Sequence, residues 1–193
     1  MRGLLLTKGI VVDATLIASP SSTKNKDKAC DIEMHSSQNG TQWHFGMKAH
    51  IGADSNFGLV PTVRGTSGNV HDVLEGNSLL HGQEEDAYGD SGYQGVDKRP
   101  DAKAGVAWHI AMWPGKRKAL DKSDARDALT DKIEKAKAGR RAKVEHPFRV
   151  IKRQFGYVKT RYHGLKKNAV QPVTLFARSN LWMVRGKLME AQG

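Results

Sequence analysis

The chain has 193 residues, a formal net charge of +11 and a single cysteine, Cys30. This length suits one domain with a sizeable core, and no apolar run approaches the roughly 18 residues that a membrane span needs. One cysteine excludes an internal disulfide and fits a reducing cytosol. We therefore expect a single domain over residues 1–193, in the cytoplasm and without membrane contact.

The positive charge is concentrated in one segment. Pro114 to Lys167 contains 18 Lys and Arg residues but only 6 Asp and Glu residues, whereas the rest of the chain is close to neutral. A basic segment of this kind indicates a polyanionic partner, most often a nucleic acid. The alternative is a lysine-rich helix face that only keeps the protein soluble.

The first predicted element is a strand over residues 9–17. Its apolar residues barely alternate with polar ones, which predicts a strand covered on both faces of a sheet. Asp13 interrupts this apolar run. An ionised carboxylate there is costly unless it is paired, hydrogen-bonded or bound to a metal, although a strand end near solvent would also explain it.

The next segment, Ala18 to Thr41, has almost no apolar residues and predicts a long loop, which in a compact domain is usually functional or disordered. Lys24, Lys26 and Lys28 within it could contact phosphates or simply be solvated. Trp43 to Asp54 then alternates between apolar and polar residues and predicts a strand with one buried face.

A hairpin turn over residues 54–58 leads to a third strand, Leu59 to Arg64, which returns antiparallel to the second. Pro61 places this third strand at a sheet edge, because proline cannot donate to a ladder. A short helix is then predicted from Asn69 or Asp72 to about Leu80, followed by a short strand that ends in a Gly-rich turn at Asp90. The next strand covers residues 106–112, and Pro114 to Lys118 ends it. The remaining predicted elements are a helix over residues 123–137, an apolar helical stripe over residues 141–157 and an amphipathic helix over about 168–188.

Two residues interrupt these helices. Pro147 requires either a helix start or a kink, because it lacks an N–H group. Arg178 breaks the apolar face of the last helix and is expected on a buried face. The element order predicts an α/β fold in which three antiparallel strands precede parallel ones, with helices flanking the mixed sheet. This order resembles the ribonuclease H-like fold.

Three acidic residues stand at the ends of elements that this fold brings together: Asp13, Asp90 and Glu145. Phosphoryl transfer with two divalent ions needs oxygen ligands that converge from several elements, and Mg²⁺ prefers carboxylates, water and substrate phosphate. We therefore expect Asp13 on the first strand, Asp90 before a glycine turn and Glu145 on a helix to hold two Mg²⁺ or Mn²⁺ ions.

Four separate motifs carry a family resemblance: residues 12–15 (VDAT), 45–50 (FGMKAH), 89–93 (GDSGY) and 143–152 (KVEHPFRVIK). Together they resemble the DDE transposases of bacterial insertion sequences. The resemblance implies a ribonuclease H-like catalytic core and Mg²⁺-dependent DNA cleavage and strand transfer. It also implies that Asp13, Asp90 and Glu145 are the catalytic acids.

The family's C-terminal motif is Tyr, two residues, Arg, three residues, Glu, six residues, Lys. Arg141, Glu145 and Lys152 fit this spacing, but Ala138 stands at the tyrosine position. The expected DNA-binding residues are Arg141, Lys152, Lys48 and Arg153. Arg149 lies near the same helix face but has an ordinary solvated charge as its simplest explanation.

The histidines give a weaker signal. His44 and His50 share the polar face of the second strand, but a structural zinc site wants four closely spaced N and S ligands, and one cysteine does not support it. We expect His50 or Lys48 to border the active site, because the first two strands are neighbours.

Relatives of this kind carry a further N-terminal region, so we expect an N-terminally truncated copy. The resemblance implies double-stranded DNA, both element ends and target, as the partner, a homodimer on that DNA, and a place in the bacterial cytoplasm at the nucleoid. Two alternatives remain: a non-catalytic remnant that binds DNA or a full-length transposase and interferes with it, and a different ribonuclease H-like nuclease.

Overall fold

The computed structural model describes residues 8–23 and 29–190. Six strands are present in this part of the chain: β1 (Gly9–Ala18), β2 (His35–Asn39), β3 (Gln42–Asp54), β4 (Thr62–Ser67), β5 (Asp86–Gly89) and β6 (Ala107–Ile110). The α-helices are α1 (Asp72–Glu75), α2 (Pro114–Lys118), α3 (Ala125–Arg149) and α4 (Leu165–Glu190). Short 3₁₀ turns occupy Asn77–Leu79, Ser91–Tyr93 and Val96–Lys98, and a π-helical segment, Val150–Gln154, continues α3.

The strands form one mixed sheet in the order β2-β3-β1-β5-β6, with β4 also paired to β3. The β1–β3, β2–β3 and β3–β4 pairs are antiparallel, whereas β1–β5 and β5–β6 are parallel. Antiparallel strands therefore precede parallel ones, and helices flank the sheet. The predicted α/β architecture of the ribonuclease H-like type is confirmed.

The sheet is buried on both faces at β1. Because directly opposed residues of an antiparallel pair share a face, Val11 and Ile17 lie on the same side as Met47 and Ala53 of β3. That side packs against α3 and α4 through a cluster whose helical members include Val144, Phe148, Ile151 and Phe176. On the other side, Val12 packs with Leu79, Tyr93 and Val96. The prediction that β1 is covered on both faces is confirmed.

One strand is missing from the sequence prediction. The loop expected over Ala18 to Thr41 is wrong at β2, which pairs antiparallel with the first part of β3. This strand carries the polar sequence HSSQN, and most of its described side chains are exposed. Main-chain hydrogen bonds to β3 hold β2 in place, so its sequence has no hydrophobic pattern that would predict a strand. Lys24, Lys26 and Lys28 lie outside the described residues.

The helices α3 and α4 run longer than predicted. Asp124 begins α3 because its carboxylate accepts hydrogen bonds from the N–H groups of Arg126 and Asp127. Pro147 neither starts nor ends this helix: it lies inside, close to the point where the π-helical segment begins. Pro114 to Lys118 ends the sixth strand as expected but forms α2, with the proline in its first turn.

Two expectations about single side chains are wrong. Arg178 is exposed, because the buried stripe of α4 consists of Asn168, Pro172, Phe176 and Ser179 and passes beside it. Neither Asn69 nor Asp72 caps α1, whose N-cap is His71 without a side-chain hydrogen bond. Within the described residues, none of the helices is both long and apolar enough to cross a membrane.

Candidate active site

Asp13 lies where the sheet opens. β1 pairs with β5 over Gly9 to Val11, and among the described residues the next positions of β1 have no ladder partner on that side. Asp13 stands opposite Ile51 of β3 and therefore shares the face that packs against α3. Its Oδ1 accepts a hydrogen bond from the N–H of Ala14 at 2.7 Å.

Asp90 follows β5 directly and stands beside Asp13. The parallel register pairs Val11 with Tyr88, and both aspartates come two residues later in their strands. Asp90 also begins the 3₁₀ turn Ser91–Tyr93, since its Oδ1 accepts from the N–H of Gly92 at 2.8 Å. A β-carbon at Gly92 would lie 2.9 Å from that oxygen, so any larger residue there would require the Asp90 carboxylate to shift. The two carboxylates line a common cavity of about 420 Å³.

Glu145 approaches from α3. It is exposed and lines a neighbouring cavity of about 520 Å³ together with Arg149, Lys152 and Arg153. Lys152 borders both cavities and donates a hydrogen bond to Thr15 Oγ1 on β1. Burial lowers the pKa of Lys152, and the charge of Glu145 opposes that shift.

The pKa of Asp13 shows that these groups act on one another. Burial is the largest influence on this pKa. Together with the charges of Asp90 and Glu145 it raises the pKa to about 7, whereas the hydrogen bond from the Ala14 N–H and the charge of Arg141 lower it. Asp90, Arg141 and Glu145 are therefore all within electrostatic reach of the Asp13 carboxyl. Ala138, at the position of the family's tyrosine, is an exposed residue of α3.

Lys48 reaches the cavity from the opposite face of the sheet. It stands opposite Leu16 of β1. Successive strand residues point to opposite faces, so Lys48 and Asp13 lie on different faces of the sheet. Its Nζ donates to Asp72 Oδ1 at 2.9 Å and to the Val70 carbonyl at 2.8 Å, and its side chain is 14% exposed. Lys48 therefore lines the cavity, where Asp72 already pairs with it.

His50 does not line this cavity, whereas His44 does. The His50 ring is fully buried, and its Nε2 makes a 2.8 Å hydrogen bond with Thr66 Oγ1. Burial lowers the pKa of His50 to about 4, so the ring is neutral at physiological pH.

The sequence alone assigns no role in the site to Asp72, which lines the cavity, or to Tyr93, which is buried near its carboxylates. Asp72 lines the cavity with Asp13 and Asp90. The buried Tyr93 hydroxyl has no hydrogen-bond partner in the described part of the chain. Its pKa is raised, chiefly by burial and then by the charges of Asp13, Asp72 and Asp90. Tyr93 ends the GDSGY motif, but no spacing in the sequence indicates a role for it or for Asp72, because only the fold brings α1 and the turn after β5 to β1.

The carboxylates fit a divalent cation, although they do not form a closed cage. Among the described residues, no group of three or more His, Cys, Asp or Glu side chains is placed to hold one metal ion. Mg²⁺ is usually bound through one or two carboxylates, water and substrate phosphate, and Asp13 with Asp90 supplies such a pair. A cation beside them would offset the repulsion that disfavours ionised Asp13.

Comparison with known families identifies the domain. No solved structure matches the chain. The model of the transposase DDE domain matches residues 5–181. Members of this family are transposases, with a general role in DNA cleavage and strand transfer that depends on divalent metal. This match favours a transposase over another ribonuclease H-like nuclease, and the chain belongs to the transposase DDE domain family.

Proposed function

We propose that this domain catalyses Mg²⁺-dependent DNA cleavage and strand transfer during transposition of an insertion sequence, with Asp13, Asp90 and Glu145 as its catalytic acids. The observation that carries the proposal is the parallel register of β1 and β5, which sets Asp13 beside Asp90 at an open edge. Glu145 and Arg141 act on the same carboxyl from α3.

Each carboxylate has a separate role. Asp13 and Asp90 would hold one Mg²⁺ or Mn²⁺ ion, and Asp13 and Glu145 a second. When bound, such ions activate the attacking oxygen and stabilise the leaving oxygen. Gly92 fixes Asp90 through its N–H group. With its pKa raised to about 7, Asp13 is partly protonated near neutral pH, so cation binding there would be coupled to proton release.

The cations position the DNA backbone. Lys152 is held by Thr15 between the two cavities, and Arg141 lies near Asp13. Both would contact phosphates next to the reacting bond, and Arg153, exposed beside Glu145, would extend that contact along the strand. We further propose double-stranded element ends and target DNA as partners, a homodimer on that DNA and a place in the bacterial nucleoid.

The decisive test removes one carboxylate without changing its shape. Asp90→Asn should reduce Mg²⁺-dependent cleavage of DNA carrying the element ends by at least about 100-fold, because several kcal/mol of transition-state stabilisation is lost with the metal site. DNA binding should persist, since the basic surface is intact. Gel assays of cleavage and fluorescence anisotropy of binding measure the two effects.

The matched control is Asp97→Asn, which makes the same chemical change at an exposed residue outside the cavity. It should cleave like the unmodified chain. Equal cleavage by Asp90→Asn and the control would refute the assignment. An unmodified chain that binds DNA but never cleaves it would instead support the non-catalytic remnant.

A further inference from the structure

The ion pair of Lys48 and Asp72 lies on the far side of the sheet from Lys152. Lys48 and Val12 belong to the face of β1 and β3 that packs against Tyr93, whereas Lys152 contacts Thr15 on the α3 side. Both lysines nevertheless line the cavity that contains Asp13 and Asp90. The site is therefore flanked by one cation on each face of the sheet.

Asp72 uses its two oxygens differently. Oδ1 accepts from Lys48 and lies 3.8 Å from the buried Nδ1 of His50, which has no hydrogen-bond partner among the described residues. Oδ2 is turned towards the turn after β5, because it lies 3.8 Å from where a β-carbon of Gly92 would stand. Asp72 thus pairs with Lys48 and lies beside the turn that follows Asp90.

Lys48 has capacity for another ligand. An ammonium group has three N–H donors, and Asp72 and the Val70 carbonyl take two of them. The long lysine side chain would otherwise sample many rotamers, at a cost in entropy when it binds. Its two acceptors hold the group at the cavity wall, so that the third donor is available to a phosphate oxygen.

We propose that Asp72 is a positioning residue that holds Lys48 as a second phosphate-binding cation, opposite Lys152. The two lysines then contact the DNA backbone from the two faces of the sheet. This inference rests on the proposed function, because it assumes a DNA strand in the cavity. Asp72 acts through Lys48 and contacts neither the DNA nor the metal.

The test compares Asp72→Asn, Lys48→Met and the double variant in binding to a labelled duplex with Ca²⁺ in place of Mg²⁺. Lys48→Met should weaken binding about tenfold, as expected for a charge-assisted hydrogen bond. Asp72→Asn should also weaken it, by about threefold to tenfold, and the double variant should bind no more weakly than Lys48→Met. Asp72→Glu, which keeps the charge, should restore binding.

The control is again Asp97→Asn. Removing an acidic charge strengthens binding to a polyanion unless the acid positions a cation, so this control should bind as tightly as the unmodified chain or slightly more tightly. The proposal therefore predicts weaker binding for Asp72→Asn but not for Asp97→Asn, although the two variants change the net charge equally. Circular dichroism confirms that each variant is folded. If Asp72→Asn is unfolded, the other two single variants decide the question. The proposal then requires that Asp72→Glu binds like the unmodified chain and that the salt slope of Lys48→Met is smaller by about 0.9.

Three results would overturn the proposal. Asp72→Asn could bind DNA as tightly as Asp97→Asn, or its effect could add fully to that of Lys48→Met. It could also lower kcat in Mg²⁺ with KM unchanged, which would place Asp72 on the metal. If the unmodified chain itself fails to bind DNA, the proposed function fails as well. Binding by the unmodified chain with no effect of Asp72→Asn refutes only the role of Asp72.

Discussion

The carboxyl group of Asp13 is ionised at a cost in free energy in this fold. Burial raises its pKa, Asp90 and Glu145 raise it further, and the opposing contributions of Ala14 and Arg141 leave it at about 7. A group that hinders folding in its charged form is retained where a ligand uses that charge. The unfavourable ionisation of Asp13 is thus what we expect of a carboxylate that binds a metal ion in the proposed site.

A pH-dependent stability follows from Asp13. Its pKa is 3.8 in the unfolded chain and about 7 in the folded one, so between these values the folded chain binds more protons. The contribution of Asp13 to the free energy of unfolding therefore falls as pH rises from about 4 to about 7 and is constant above that range. Asp13→Asn should remove this dependence.

Thermal unfolding in EDTA at about pH 5 and about pH 8 checks this prediction. The melting temperature of Asp13→Asn relative to the unmodified chain should be higher at about pH 8 than at about pH 5, because the ionised carboxyl is absent. Asp97→Asn should show the same difference at both pH values. A constant offset for Asp13→Asn would contradict the raised pKa.

At the scale of elements, the strength of the apolar pattern decides what the sequence can predict. Trp43 to Asp54 alternates regularly because one face of β3 is buried, and that strand is predicted within one residue. β2 leaves no such pattern, since it is held at an edge by main-chain bonds. The buried stripe of α4 contains Asn168 and Ser179, so its direction is not evident from hydrophobicity.

The same limit applies to the candidate site. Asp13 stands out in the sequence because it interrupts an apolar run, and Asp90 because a glycine turn follows it. Their adjacency depends on the register of β1 with β5, which residues far apart in the chain determine together. The pairing of Lys48 with Asp72 depends on where α1 lies, and no local pattern encodes that position.

The Asn180 side chain joins α4 to the segment that connects β3 and β4. Asn180 accepts from the N–H of Val60 at 2.8 Å and donates to the carbonyl of Val60 at 2.9 Å, as a neighbouring strand would. Val60 is buried, so both main-chain groups would lose their partner in Asn180→Ala. We expect that variant to lose about 2–4 kcal/mol of unfolding free energy.

Urea denaturation measures this loss, with Asn69→Ala as the control. Asn69 is exposed and caps no helix, so its replacement should change stability by less than about 0.5 kcal/mol. Equal stability of the two variants would show that water replaces Asn180 at Val60 without cost.

At the scale of the whole molecule, the net charge of +11 is unevenly distributed. The surplus extends along α2, α3 and the π-helical segment to the start of α4. Some cations of this segment already have an acidic partner within the chain, because Arg117 pairs with Asp131 and Lys137 with Glu134. Arg149 and Arg153 are exposed beside Glu145, where the proposed function would bring the DNA backbone.

This distribution predicts how DNA binding depends on salt. Phosphate contacts carry no sequence information, so duplexes containing the element ends and scrambled duplexes should bind alike. The logarithm of the binding constant should fall with the logarithm of salt concentration, with a slope of about 0.9 for each phosphate neutralised. Replacing Arg149 and Arg153 with alanine should lower that slope by about 0.9 for each cation that contacts a phosphate.

Arg126→Ala is the control, because Arg126 is exposed at the opposite end of α3, about 40 Å from Arg153 along the helix axis. That separation is well beyond the roughly 10 Å over which charges act at moderate salt, so the slope should not change. Anisotropy titrations over a salt series measure all three slopes. An equal loss for Arg126→Ala would mean that DNA lies along the whole of α3. A strong preference for the element ends would mean that this domain reads bases as well as phosphates.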